Sequence, residues 1–68
     1  MVDVTILNDT GHTELVLSAE EAVEQIYNHP THWAYINGEM VAHADVANIP
    51  LESIETVILT QAIVGGQN

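Results

Sequence analysis

A single change of hydrophobic period constrains the fold of this chain more than any other feature. Residues 2–7, VDVTIL, alternate strictly: Val2, Val4 and Ile6 fall on one face, with Asp3 and Thr5 opposite. That is the pattern of a half-buried strand. Residues 12–17, HTELVL, alternate again, with Thr13, Leu15 and Leu17 on one face. Between them lies the turn cluster NDTG, whose Gly11 is free to take a positive φ. Two alternating runs joined by four turn residues predict a β-hairpin. At Ser18 the period becomes helical. The stretch SAEE is a capping box, with Ser18 as N-cap and Glu21 at the third helical position. Glu20 and Glu21 also sit at the positive end of the helix dipole. Ala22, Val23, Ile26 and Tyr27 come next at helical spacing, while Glu20, Glu21, Glu24 and Gln25 face out. Pro30 ends the helix at Asn28 or His29. A helix this short is marginal alone and must pack on something.

The period then returns to two. WAYI at 33–36 predicts a strand, Asn37-Gly38 a type I′ turn, and EMVA at 39–42 the returning strand. Next comes an irregular stretch, HADVANIPLES, in which Asp45 is a candidate cap for one helical turn. The last strand spans 54–64, with Val57, Leu59 and Ile63 on one face and Ile58, Ala62 and Val64 on the other. A strand apolar on both faces belongs at the centre of a sheet. The order β-β-α-β-β-β predicts an α+β domain: a four- to five-stranded mixed sheet with one helix packed across it. There are no internal repeats, linkers or low-complexity segments.

Size and charge limit the functions available. At 68 residues the chain makes one domain. Such a domain buries only about 60% of the surface its unfolded chain exposes. With no cysteine, neither a disulfide nor a thiolate metal site can reinforce it. Ten acids are balanced by no lysine or arginine. A basic patch for nucleic-acid phosphate is excluded, as is docking on anionic lipid. Any electrostatically steered partner is basic. No segment approaches the roughly 20 apolar residues needed to span a bilayer. The N-terminal stretch has no basic region or apolar core of a signal peptide, so the expected location is cytoplasmic.

The later half of the chain, YINGEMVAHADVANIPLESIETVILTQAIVGG, resembles the C-terminal half of the ThiS and MoaD sulfur carriers, which have the ubiquitin-like β-grasp fold. The resemblance lies in the hairpin Asn37-Gly38-Glu39-Met40-Val41, the loop of about a dozen residues, the hydrophobic last strand and Gly65-Gly66 at its end. As a pattern of elements it covers the whole chain, and as a motif residues 35–66. It implies a single β-grasp domain over residues 1–66 and a non-catalytic carrier, whose Gly66 carboxylate enters a slot on an E1-like adenylating enzyme. ATP adenylates that carboxylate there, and sulfide displaces AMP to leave a thiocarboxylate. Two residues without Cβ suit a tail that threads a narrow channel. Gln67 and Asn68 depart from the pattern, because an amide to Gln67 blocks the Gly66 carboxyl. Similar bacterial carriers have a two-residue extension that a JAMM-type metalloprotease removes. The resemblance therefore implies a tail-trimming protease and a removable tail at 67–68. A chain without lysine also cannot accept an isopeptide bond on its own side chains.

A rival expectation rests on charge alone. An acidic domain free of cations suits a nucleic-acid-mimicking inhibitor of a basic nucleic-acid-binding protein, of the phage anti-defence type. Its carboxylates would be Glu20, Glu21 and Glu24 on the helix, with Asp45, Glu52 and Glu55. A third expectation is a β-grasp interaction module without tail chemistry. No catalytic residues are read from the chain. Ser18 is a cap, Ser53 a loop residue, and the helical glutamates a solvated face. The four histidines, His12, His29, His32 and His43, are read as surface or loop residues, because Pro30 breaks helical spacing between His29 and His32. No metal or cofactor is expected. Trp33 and Tyr35 share one sheet face and are read as core or sheet cover, with an anchor for a partner as the alternative.

Overall fold

The alternating runs build the expected hairpin. In the computed structural model, which describes residues 1–8 and 10–61, β1 (Val2–Asn8) pairs antiparallel with β2 (Gly11–Leu17). Gly11 has φ +139, so the turn uses the freedom that only glycine supplies at low cost. The helix α1 (Ala19–Asn28) begins as its sequence predicts. Glu21 N–H donates to the Ser18 hydroxyl, and Ser18 N–H donates to the Glu21 carboxylate, both at 3.2 Å. His29 closes the helix, its N–H donating to the Ile26 carbonyl.

The second hairpin joins β3 (His32–Ile36) to β4 (Glu39–Val41) through Asn37-Gly38. Both turn residues have positive φ, 54 and 88, as a type I′ turn requires. A Cβ on Gly38 would meet nothing within 4 Å, so the backbone angle alone demands glycine there. The stretch read as irregular contains two 3₁₀ segments, His43–Asn48 and Leu51–Ser53. Asp45 does not cap the first of them. Its cap is Ala42, with no side-chain bond, and Asp45 lies within the first turn. The last strand, β5 (Thr56–Gln61), starts two residues later than predicted, because Ile54 closes the second 3₁₀ segment as its C-cap. Residues 62–64 of the predicted strand, together with Gly65, Gly66, Gln67 and Asn68, lie outside the described residues.

The five strands form one mixed sheet in the order β2-β1-β5-β3-β4. Strand β5 runs parallel to β1 and antiparallel to β3, so it is central, as its apolar character predicts. This is an α+β, β-grasp-like fold. Helix α1 lies on one face and buries Ala22 and Ile26 completely against Val4, Val57 and Leu59 in a core cluster that also takes in Ile36. The first 3₁₀ segment adds Val46, and Ile54 closes the cluster at the other loop. Among the described residues the core is wholly aliphatic. Tyr27, whose spacing assigns it to the buried helix face, is exposed, because the cluster is filled by Ile26 one position earlier.

Asn37 has a second task that its turn signal does not announce. Its Nδ2 donates to the Ser53 carbonyl at 2.7 Å. Its Oδ1 accepts from Glu55 N–H at 2.9 Å and Thr56 N–H at 3.1 Å. One side chain thus clamps the loop before β5 onto the β3–β4 turn.

This packing can be tested at two positions. Leu59→Ala empties the middle of the central strand, and urea denaturation should show a loss of about 2–5 kcal/mol. Asn37→Gly keeps the positive φ and removes only the clamp. It should cost roughly 2–3 kcal/mol, since net hydrogen-bond contributions run near 1 kcal/mol each. A loss below about 0.5 kcal/mol would mean that water replaces the clamp without penalty.

Candidate functional site

Because α1 covers one face of the sheet, the register dictates what the other face carries. One row crosses all five strands: Glu14, Thr5, Ile58, Tyr35 and Met40. The next row carries His12, Leu7, Thr60 and Trp33. No element among the described residues covers these side chains. Met40 is 59% exposed, Trp33 50%, Leu7 38% and Ile58 36%. Trp33 and Tyr35 do share a face, as their spacing predicts, but it is the open face and not the core. Ile58 lies on the second face of the central strand, where its apolar neighbours in sequence predict burial. The absence of a second helix among the described residues leaves it in solvent. These exposed apolar residues make this face a candidate interaction surface. Asp3 and Glu14 lie on the same face, so its charged groups are carboxylates.

Beside Trp33 the face runs into a groove of about 490 Å³, lined by Trp33, Met40, Val41, Ala42, His32 and His43 among others. The groove exists because β4 ends at Val41 while β3 begins at His32, so the start of β3 lacks a neighbour on that side.

Three of the four histidines meet at this corner, a grouping hidden in the sequence by the loop between β4 and β5. His29 Nδ1–H donates to the Gln25 carbonyl at 2.7 Å, at the carbonyl end of α1. His43 Nε2–H donates to the His29 carbonyl at 3.1 Å. The His29 and His32 rings meet edge to face, with centroids 5.0 Å apart. His32 Nε2 is buried and has no hydrogen-bond partner. Burial holds the His32 pKa below its ordinary value of 6.5, and the charges of His29 and His43 add to the effect. Among the described residues no group of three or more potential ligands has the arrangement to hold a metal ion.

The carboxylates assigned to a basic partner are dispersed. Glu20, Glu21 and Glu24 lie along α1, Asp45 in the first 3₁₀ segment, Glu52 in the second, and Glu55 just before β5. Glu21 is engaged at the helix cap, and the Glu55 backbone in the Asn37 clamp. The sulfur-carrier attachment residues Gly65 and Gly66, and the tail residues Gln67 and Asn68, lie outside the described residues. The described residues end at Gln61, which pairs with His32 in register. Sequence reasoning missed Leu7, Ile58 and Met40 as surface residues. Their signal was present, since a single helix can cover only one face of the sheet.

Among the described residues no helix is long and apolar enough to cross a membrane. No protein-family model, curated protein or solved structure matches this chain.

The exposed positions should be dispensable for folding. Trp33→Ser and Met40→Ser should each change stability by less than about 0.5 kcal/mol, the range of surface substitutions away from special features. Far-ultraviolet circular dichroism in urea measures this without relying on the tryptophan.

Proposed function

We propose that this protein is a non-catalytic carrier of the sulfur-carrier type, activated at the Gly66 carboxylate once Gln67 and Asn68 have been cleaved off. The observation that carries the reading is the position of β5. It is the central strand of a β-grasp-like sheet, and it leads within four residues to Gly65-Gly66. Residues 62–66 span up to about 17 Å when extended, enough to reach into an enzyme slot. The open apolar face supplies a docking surface for the E1-like adenylating enzyme, with Trp33, Met40 and Ile58 at its centre. The partner surface is apolar with a basic rim, since this chain offers only carboxylates and imidazoles around the patch. A second copy of the chain is a poor partner, because each copy carries a net charge of −10 and no lysine or arginine to pair across the contact.

The chemistry takes place at the tail. The freed Gly66 carboxylate attacks the α-phosphate of ATP and expels pyrophosphate. Sulfide then adds to the acyl carbonyl and expels AMP, leaving a thiocarboxylate. The domain contributes recognition and reach, and the enzyme contributes the catalytic groups.

The exposed carboxylates Glu20, Glu24, Asp45, Glu52 and Glu55 favour a second reading, an inhibitor that occupies a basic nucleic-acid-binding protein. The two readings demand different parts of the molecule. Intact mass of the protein from its native cell should show cleavage after Gly66 and a sulfur atom in place of one carboxylate oxygen. Gly66→Ala should abolish thiocarboxylate formation, and Trp33→Asp should weaken capture of the adenylating enzyme at least about tenfold. Activity that survives deletion of 65–68 but is lost when Glu20, Glu24, Asp45, Glu52 and Glu55 become glutamine would replace the carrier reading with the inhibitor.

A further inference from the structure

The histidine corner has an asymmetry that only the three-dimensional arrangement creates. His29 and His43 each use one ring N–H on a backbone carbonyl at or just beyond the end of α1. The helix dipole places partial negative charge there, so an N–H aimed at these carbonyls is well placed. His32 is different. Its Nε2 is buried with no hydrogen-bond partner, and among the described residues its Nδ1 meets the Thr31 hydroxyl at 3.5 Å. A proton added at Nε2 would create a buried N–H without a partner and a charge beside two other imidazoles.

Among the described residues, the groups around His32 offer nothing to offset that charge. From the end of α1 comes the His29 ring, at 5.0 Å. From the first 3₁₀ segment comes His43, and Asp45 two residues on is exposed. Across the sheet the register partner on β5 is Gln61, which is uncharged. Among the described residues the histidine–carboxylate pair is His12 with Glu14, at 3.8 Å on β2. The charges that act on His32 are those of His29 and His43, both of the same sign.

What the corner holds together is also specific. The His43 side chain ties the start of the 3₁₀ segment His43–Asn48 to the end of α1. That segment has no side-chain cap of its own, and it carries Val46 into the core. The same two residues, His32 and His43, line the groove beside Trp33.

We propose that His29, His32 and His43 form an acid-sensitive latch: protonation of His32 separates His43 and its 3₁₀ segment from the end of α1 and opens the groove beside Trp33. Linkage gives the direction. The folded state disfavours charged His32, so the stability contributed by the neutral ring is complete above 6.5 and is lost as pH falls through the lower folded value. The device is independent of the tail. It makes the groove, and whatever docks on the adjoining face, responsive to acidification.

The test is amide hydrogen exchange, read as protection factors by nuclear magnetic resonance on the full chain, from about pH 7.5 to about pH 5, the range in which imidazoles change charge. Protection of the Asp45 and Ile49 amides, which bond to the Ala42 and Val46 carbonyls, should fall roughly tenfold while the β1 and β5 amides hold. The midpoint should lie below 6.5, the ordinary histidine value. His32→Gln, which cannot take the charge, should abolish the local loss. His29→Gln removes the larger of the two repelling charges, keeps the His29 carbonyl that holds His43, and should move the midpoint up towards the ordinary value. It decides the matter even if His32→Gln fails to fold. Protection at 43–49 that ignores pH, or that falls together with the whole sheet, would overturn the latch.

Discussion

The two hairpins of this domain meet in the sheet only through β5. Strands β1 and β2 lie on one side of it and β3 and β4 on the other. Its parallel register with β1, Val4 beside Val57 and Ile6 beside Leu59, sets the first half of the core. Its antiparallel register with β3, Ala34 beside Leu59 and Ile36 beside Val57, sets the second. A slip of one residue on either side would turn Val57 and Leu59 away from the helix and expose them. The Asn37 clamp acts at the point where such a slip would start, because it fixes the chain at Glu55 and Thr56 as β5 begins.

One helix over five strands divides the molecule into unlike halves. On the covered side, Ile26, Val46, Val57 and Leu59 make a small aliphatic core without a buried polar side chain among the described residues. On the open side lie Trp33, Tyr35, Met40 and Ile58, and with them two of the three aromatic residues of the chain. A domain this small does not usually leave its largest side chains outside its core, where they add little to stability. Their position leaves stability to the aliphatic face. The missing cations bear on the same point. Charge complementarity contributes most to steering and to the rejection of wrong partners, and the charge of this chain has one sign.

Much of this architecture was legible in the residues. The alternation of Val2, Val4 and Ile6, the capping box at Ser18, the stop at Pro30 and the Asn37-Gly38 turn are local signals, and each was matched by the element it predicts. The misplacements were tertiary. Asp45 had the chemistry of a cap, but the 3₁₀ segment starts where His43 reaches the helix end, so the cap position fell to Ala42. Tyr27 had helical spacing, but the width of the core admitted Ile26 and left the next position outside. Ile58 had the hydrophobicity of a buried residue, yet no second layer among the described residues buries it. The histidine corner was illegible, because His29 and His43 are fourteen positions apart and a hydrogen bond to a backbone carbonyl leaves no mark in composition.

By itself, then, the sequence determined the elements, their order and the sign of the molecule's charge, because period, capping and turn chemistry act within a few residues and charge simply adds. Only the tertiary structure decided which apolar residues became core and which became surface, and which histidine has a buried ring nitrogen without a partner. Those outcomes depend on how many layers cover the sheet and on which loop ends meet at its corner, and neither is a property of any local stretch of chain.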